Sequence, residues 1–151
     1  MSQLRSNNSG AMGAALSRPV GETPEVLARI RPYWFSRHFA TEVLAGRPLP
    51  VDQHQLIAAI APRPVYVASA SQDPNADPEG ELLSWREATT VWELYAHPRP
   101  DGGFPEPGGS RGGEGAAPVA YHLRPGPHSV ERFDWERWLD SLDRWVSVKQ
   151  T

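Results

Sequence analysis

The chain contains no cysteine, which removes disulfides, thiolate nucleophiles and thiolate metal sites together and leaves the redox compartment open. It has no apolar run long enough to span a bilayer. Met1 to Gly13 is polar and glycine-rich and lacks the apolar core of a signal peptide. Charge is also scarce in one direction: the formal net charge is −3 and the basic residues are scattered, which argues against nucleic acid as a partner. What is present suits a globular domain. The 151 residues are 39% hydrophobic with six Trp, enough to bury roughly 70% of the unfolded surface. The 16 Pro and 13 Gly predict an unusually large share of loop.

Residues 1–21 are small and polar and read as loop, with room for a short strand at Gln3 to Arg5. Thr23 and Pro24 open a short helix with Val26, Leu27 and Ile30 on one side. Pro32-Tyr33-Trp34-Phe35 starts an apolar segment running to about Leu44, which Gly46 and Pro48 end. Asp52 caps a helix beginning at Gln53, with Leu56, Ile57 and Ile60 as its buried stripe and Pro62 as its close. The run Val65 to Ala70 suits a strand buried on both faces of a parallel sheet. A helix is predicted from Pro78 to Ala96, its apolar positions including Leu82, Leu83, Trp85, Val91, Trp92 and Tyr95. From His97 to Ala117 the chain is dominated by Pro and Gly, which predicts a mobile surface loop. Val119 to Leu123 is a second strand. The last helix runs from about Val130 to Val148, with Trp135, Trp138, Leu139, Leu142 and Val146 on its apolar face.

Strand, helix, strand, helix implies a parallel pair with a crossover. Two strands do not make a stable doubly wound sheet, so Val65–Ala70 is expected to carry an unpaired, aggregation-prone edge in the isolated chain.

His128 follows the second strand, in the Pro/Gly loop that leads into the last helix. An α/β-hydrolase delivers its catalytic histidine from such a position. There it would act as the base that takes a serine proton and returns it to the leaving alcohol; the plainer alternative is an ordinary loop histidine. Asp73 sits just past the C-terminal end of the first strand, where open α/β sheets place their chemistry, and is the candidate acid. Its alternative is a turn carboxylate. Asp77, before a proline, suits a helix cap better.

Gly108-Gly109-Ser110-Arg111-Gly112 matches the Gly-x-Ser-x-Gly pattern of a nucleophile. No buried strand precedes it and prolines flank it, so Ser110 reads as linker rather than nucleophile. His54, His122 and His128 form no metal-binding spacing, and no metal or cofactor is expected. Most Trp residues read as core; Trp34 is the one kept as a binding candidate.

Several longer blocks carry a family resemblance. They are Ser6-Asn7-Asn8-Ser9-Gly10, Gly13 to Arg18, Gly21-Glu22-Thr23, Tyr33-Trp34-Phe35, Leu49 to His54, Leu56 to Ala70, Asp73, Ala76-Asp77-Pro78, Gly80-Glu81, and Tyr121 to Trp135. In this order they resemble the bacterial branch of the glucuronoyl esterases, carbohydrate esterase family 15. The resemblance spans nearly the whole chain except His97–Ala117.

The resemblance implies an α/β fold: the C-terminal portion of an α/β-hydrolase, a three-layer sandwich around a mainly parallel sheet. Residues 1–151 would then be a partial domain with 97–117 as a flexible insert, the N-terminal strands and nucleophile elbow lying before Met1. It implies a serine esterase acting on lignin-carbohydrate esters of glucuronoxylan, secreted or periplasmic when complete, with His128 and Asp73 as its base and acid. The chain alone is expected to be inactive.

Some positions depart from the family pattern. Fungal relatives place a Glu where Asn8 stands, so the acid role falls to Asp73. Asn75 replaces a Trp that packs on the sugar, and Met12 replaces a small residue or cysteine. Gln53 and His54 are candidates for lining the same cleft, with local backbone capping as the alternative. Two other functions stay open: a non-catalytic remnant that binds carbohydrate or a partner protein, and an acetylxylan esterase on the same scaffold.

Overall fold

Two six-residue strands form the centre of the molecule because their side chains are apolar enough to be covered on both faces. The computed structural model describes residues 2–4, 20–47, 52–113 and 117–148. Asn8, Met12 and the segment Leu49–Val51 lie outside the described residues. The elements are β1 (Ser2–Leu4), α1 (Pro24–Ile30), a 3-10 turn (Pro32–Trp34), α2 (Arg37–Leu44), α3 (Gln53–Ala58), β2 (Val65–Ala70), α4 (Pro78–Glu93), β3 (Ser110–Gly112), β4 (Val119–Arg124) and α5 (Arg132–Val148).

The sheet order is β1-β2-β4-β3. β2 pairs in parallel with β4 from Val65↔Val119 to Ala70↔Arg124, joined through α4. β1 covers the other side of β2 in parallel, with Gln3 opposite Tyr66. The edge expected to be bare at Val65–Ala70 is therefore paired over Val65–Val67.

Side chains alternate across this sheet. Val65, Val67, Val119, Tyr121 and Leu123 meet Leu82, Trp85, Ala88 and Trp92 of α4 and Ile57 of α3 in the main core. Tyr66 and Ala120 point the other way and pack with Trp138 of α5. Helices thus cover both faces, giving three layers.

Local rules account for the helix starts. The Thr23 and Ser36 hydroxyls accept from the third amide of α1 and α2. Asp52 and Gln55 form a reciprocal capping box at α3. Asp77, at φ 50°, accepts from the Gly80 amide at the start of α4.

The structure corrects three expectations. The apolar segment from Pro32 to Leu44 is split, because Ser36 caps a new helix after the 3-10 turn. The stretch read as loop and linker at 97–117 contains β3, which pairs antiparallel with β4 and puts Ser110 opposite His122. The Gly108 amide also donates to Leu123 O, and the Leu123 amide to Gly109 O. These bonds are between main-chain groups, so a segment without aliphatic side chains can still form a strand. Finally, the apolar face of α5 is only partly covered: Trp138 is buried, while Trp135, Leu139 and Val146 are exposed.

Candidate active site

β2 and β4 run in the same direction, so the loops at their C-terminal ends lie side by side. The turn after β2 carries Asp73 and the loop after β4 carries His128. The His128 Nδ1–H donates to Asp73 Oδ2 at 2.5 Å. Asp73 is buried and its second oxygen accepts from the Ala76 amide at 3.3 Å, which fixes the carboxylate. The His128 side chain is 48% exposed. With Nδ1 holding its proton toward the acid, Nε2 is left as an acceptor for a proton from solvent or substrate. That is the chemistry of a general base held in one tautomer.

The loop bearing His128 is held from beneath by a charge the sequence reading did not assign. His122 and Arg124 alternate with Leu123 along β4 and so share the face that meets α5. The Arg124 guanidinium is almost fully buried. It donates to Pro125 O (2.8 Å), Pro127 O (2.5 Å) and Ser129 O (3.2 Å), and its Nε lies 3.1 Å from Asp134 Oδ2. Asp134 also accepts from His122 Nε2 at 2.7 Å and from the Glu131 amide at 2.8 Å. The Tyr66 hydroxyl completes the group, 3.1 Å from His122 Nδ1.

One protonation pattern satisfies all of these contacts: neutral His122 donates from Nε2 and accepts the Tyr66 proton at Nδ1. Burial holds the His122 imidazole below its usual range and pushes Tyr66 up to about 12, which fits that pattern. Gly126, at φ +105°, sits where a Cβ would come within 3.1 Å of Arg124 Nη1, so glycine lets the loop close over the guanidinium.

A cavity of about 20 Å³, roughly one water in size, is lined by His128, Asp73, Ser69, Glu81, Arg124 and Asp134 among others. Glu81 is buried on α4 and accepts from the Ser69 hydroxyl at 2.5 Å, while its other oxygen has no hydrogen-bond partner. Burial, and then the nearby Asp73 and Asp77, raise its carboxyl well above the usual range, which favours the neutral acid.

A raised acid pKa favours folding fully below the unfolded value near 4.3, and the advantage is lost as pH rises, by about 1.4 kcal/mol per unit up to the folded value. Glu81→Gln is therefore expected to gain stability on the wild type as pH is raised from about 4 to about 8. Thermal melts of both proteins across that range check it; a pH-independent difference would show that Glu81 ionises normally.

The other candidates lie elsewhere. Asn75 is exposed on the turn that holds Asp73, and its carbonyl accepts from the Glu22 amide at 2.7 Å. Gln53 and His54 start α3 and are half-buried; the Gln53 amide donates to Asp52, and His54 Nδ1 stands 3.5 Å from the same carboxylate. Trp34 is exposed in the 3-10 turn against Tyr33. None of these four lines the cavity at His128. Among the described residues no group of three His, Asp or Glu is placed to hold a metal ion. No described helix is long and apolar enough to cross a membrane.

A mainly parallel sheet between helix layers, offering an acid and a histidine from neighbouring strand ends, defines an α/β-hydrolase. Residues 6–96 match the family model for fungal glucuronyl esterase. The chain is 40% identical over 140 residues to Carbohydrate esterase MZ0003 from an unknown prokaryotic organism, covering 91% of this chain and 32% of that protein.

Among solved structures it is similar to a promiscuous CE15 esterase from a marine bacterial metagenome, with 39% identity and a TM-score of 0.79, over 94% of this chain and 35% of that one. A glucuronoyl esterase from Solibacter usitatus follows at 34% identity and a TM-score of 0.78, over 95% and 36%. The chain belongs to the glucuronyl esterases of carbohydrate esterase family 15. It spans about a third of the length of these relatives.

Proposed function

We propose that this chain supplies the base and acid of a serine carboxylic-ester hydrolase acting on 4-O-methyl-glucuronoyl esters of glucuronoxylan. The observation that carries the reading is the hydrogen bond between Asp73 and Nδ1 of the half-exposed His128 ring. In this reading His128 Nε2 takes the proton of a serine as it attacks the ester carbonyl, then returns it to the leaving alcohol. Asp73 holds the tautomer and stabilises the imidazolium. Ser110 does not serve as the nucleophile: it lies on an antiparallel edge strand rather than a strand-to-helix turn. The serine comes from a segment outside these 151 residues. The complete enzyme works outside the cytoplasm, where its polymeric substrate is found.

The test compares two proteins on benzyl glucuronate. The 151-residue chain alone is expected to give no turnover. A chimera in which it replaces the matching third of Carbohydrate esterase MZ0003 is expected to hydrolyse the ester. Turnover by the chain alone that is lost in Ser110→Ala would overturn the assignment. A well-folded chimera that is inert would favour a binding remnant, and a preference for acetylated xylan would move the specificity to acetyl esters.

A further inference from the structure

β3 lies at the edge of the sheet opposite β1, and a groove of about 640 Å³ runs between it and α5. Arg111, Arg137 and Arg144 converge on this groove, with Asp101 as the one carboxylate among its described lining residues, in a chain whose net charge is negative. Among the described residues, the arginines in ion pairs are Arg47, Arg99, Arg124 and Arg132, and none of these lines the groove.

Two of the three groove guanidiniums are held in place by neutral groups. Arg111 donates from Nε to Gly103 O and from Nη1 to Ser110 O, both at 2.8 Å. A Cβ on Gly102 would fall 2.6 Å from Arg111 Nε, so the glycine there leaves space for the side chain. Arg137 lies 4.4 Å over the Phe133 ring and donates to Gly108 O at 3.1 Å, while its Nε has no partner. Preordered guanidiniums with no ion-pair partner among the described residues, lining one concave surface, form a site for oxyanions, and their planar forks match carboxylates best.

We propose that this groove binds the free carboxylates of an acidic glycan. It rests on the esterase reading for naming the polymer, glucuronate-substituted xylan. An esterified glucuronate is uncharged and gains nothing from the arginines. Free glucuronates on the same chain, and the acid released by hydrolysis, carry the charge the groove lacks. α5 borders both places: Asp134 and Trp138 line the cavity beside His128, and Arg137 and Arg144 line the groove.

The test is affinity electrophoresis of the 151-residue chain in gels containing glucuronoxylan or a xylan free of uronate. Retardation is expected only with glucuronoxylan, weakening as salt rises from about 20 to about 200 mM. Arg111→Gln/Arg144→Gln is expected to weaken it at least about tenfold. Arg144→Gln alone, which removes no side-chain hydrogen bond among the described residues, should weaken it by a smaller factor and guards against misfolding of the double variant. Equal retardation by both xylans, unchanged binding in the Arg144 variant, or displacement by inorganic phosphate as readily as by glucuronate would overturn the proposal. If the chimera fails to cleave esters while this binding persists, the esterase reading falls and the groove stands.

Discussion

Arg124→Met is expected to destabilise the chain by about 3–5 kcal/mol, a large part of the total stability of a small domain. The substitution keeps much of the volume and removes only the charge and its donors. Asp134 would then lie buried with His122 and one amide as its remaining partners, and the carbonyls of Pro125, Pro127 and Ser129 would lose the guanidinium. Uncompensated buried polar groups cost more than the pair itself contributes. Urea denaturation of wild type and variant measures the effect. Arg124→Lys separates charge from geometry: it keeps a cation near Asp134 but cannot reach three carbonyls at once. In the chimera with Carbohydrate esterase MZ0003, it should lower kcat more than it raises KM, because the loop that aims His128 loosens. A loss of less than about 1 kcal/mol in Arg124→Met would mean that water replaces the clamp without penalty.

Asp73→Asn in the same chimera is expected to lower kcat by about 10⁴-fold with the fold intact. Asn is isosteric, but its amide can donate to Nδ1 and so favour the tautomer with the proton on Nε2. That nitrogen can then no longer accept from a serine. His128→Ala should be at least as damaging, since it removes the base itself. The contrast with Asn75→Ala is informative: Asn75 is exposed and contacts Glu22 through its carbonyl alone, so its loss should alter KM if anything. A fall of less than about tenfold in Asp73→Asn would move the acid role to another carboxylate.

The placement of Asp73 and His128 at neighbouring strand ends was legible because it depends on local grammar: an apolar run, its end, and the loop that follows. The helix caps at Asp52 and Ser36 and the strands around Val67 and Tyr121 obey the same short-range rules. β3 was not legible, since its pairing uses main-chain groups and its side chains carry no periodicity. The stripe on α5 was overestimated because periodicity shows which residues share a face and not how much of that face is covered; Trp138 is buried, and Trp135 and Leu139 stay exposed. His122, Arg124 and Asp134 escaped because their contacts depend on how β4 and α5 are set against each other. One signal was available: two polar residues alternating within an otherwise apolar strand require buried partners.

β3 is attached to β4 through the backbone, and this attachment bears on how the molecule can change over time. A strand whose register rests on main-chain bonds constrains its sequence chiefly at glycine: a Cβ on Gly112 would fall 2.4 Å from Val119 O, and one on Gly109 2.9 Å from Glu106 O. Substitutions at the non-glycine positions between Pro98 and Gly113 can alter the size or charge of the neighbouring groove while leaving the hydrogen-bonded frame of Asp73 and His128 in place. On the functions proposed above, polymer preference and bond-breaking chemistry are separable in inheritance, and descendants of this chain can diversify the first without endangering the second.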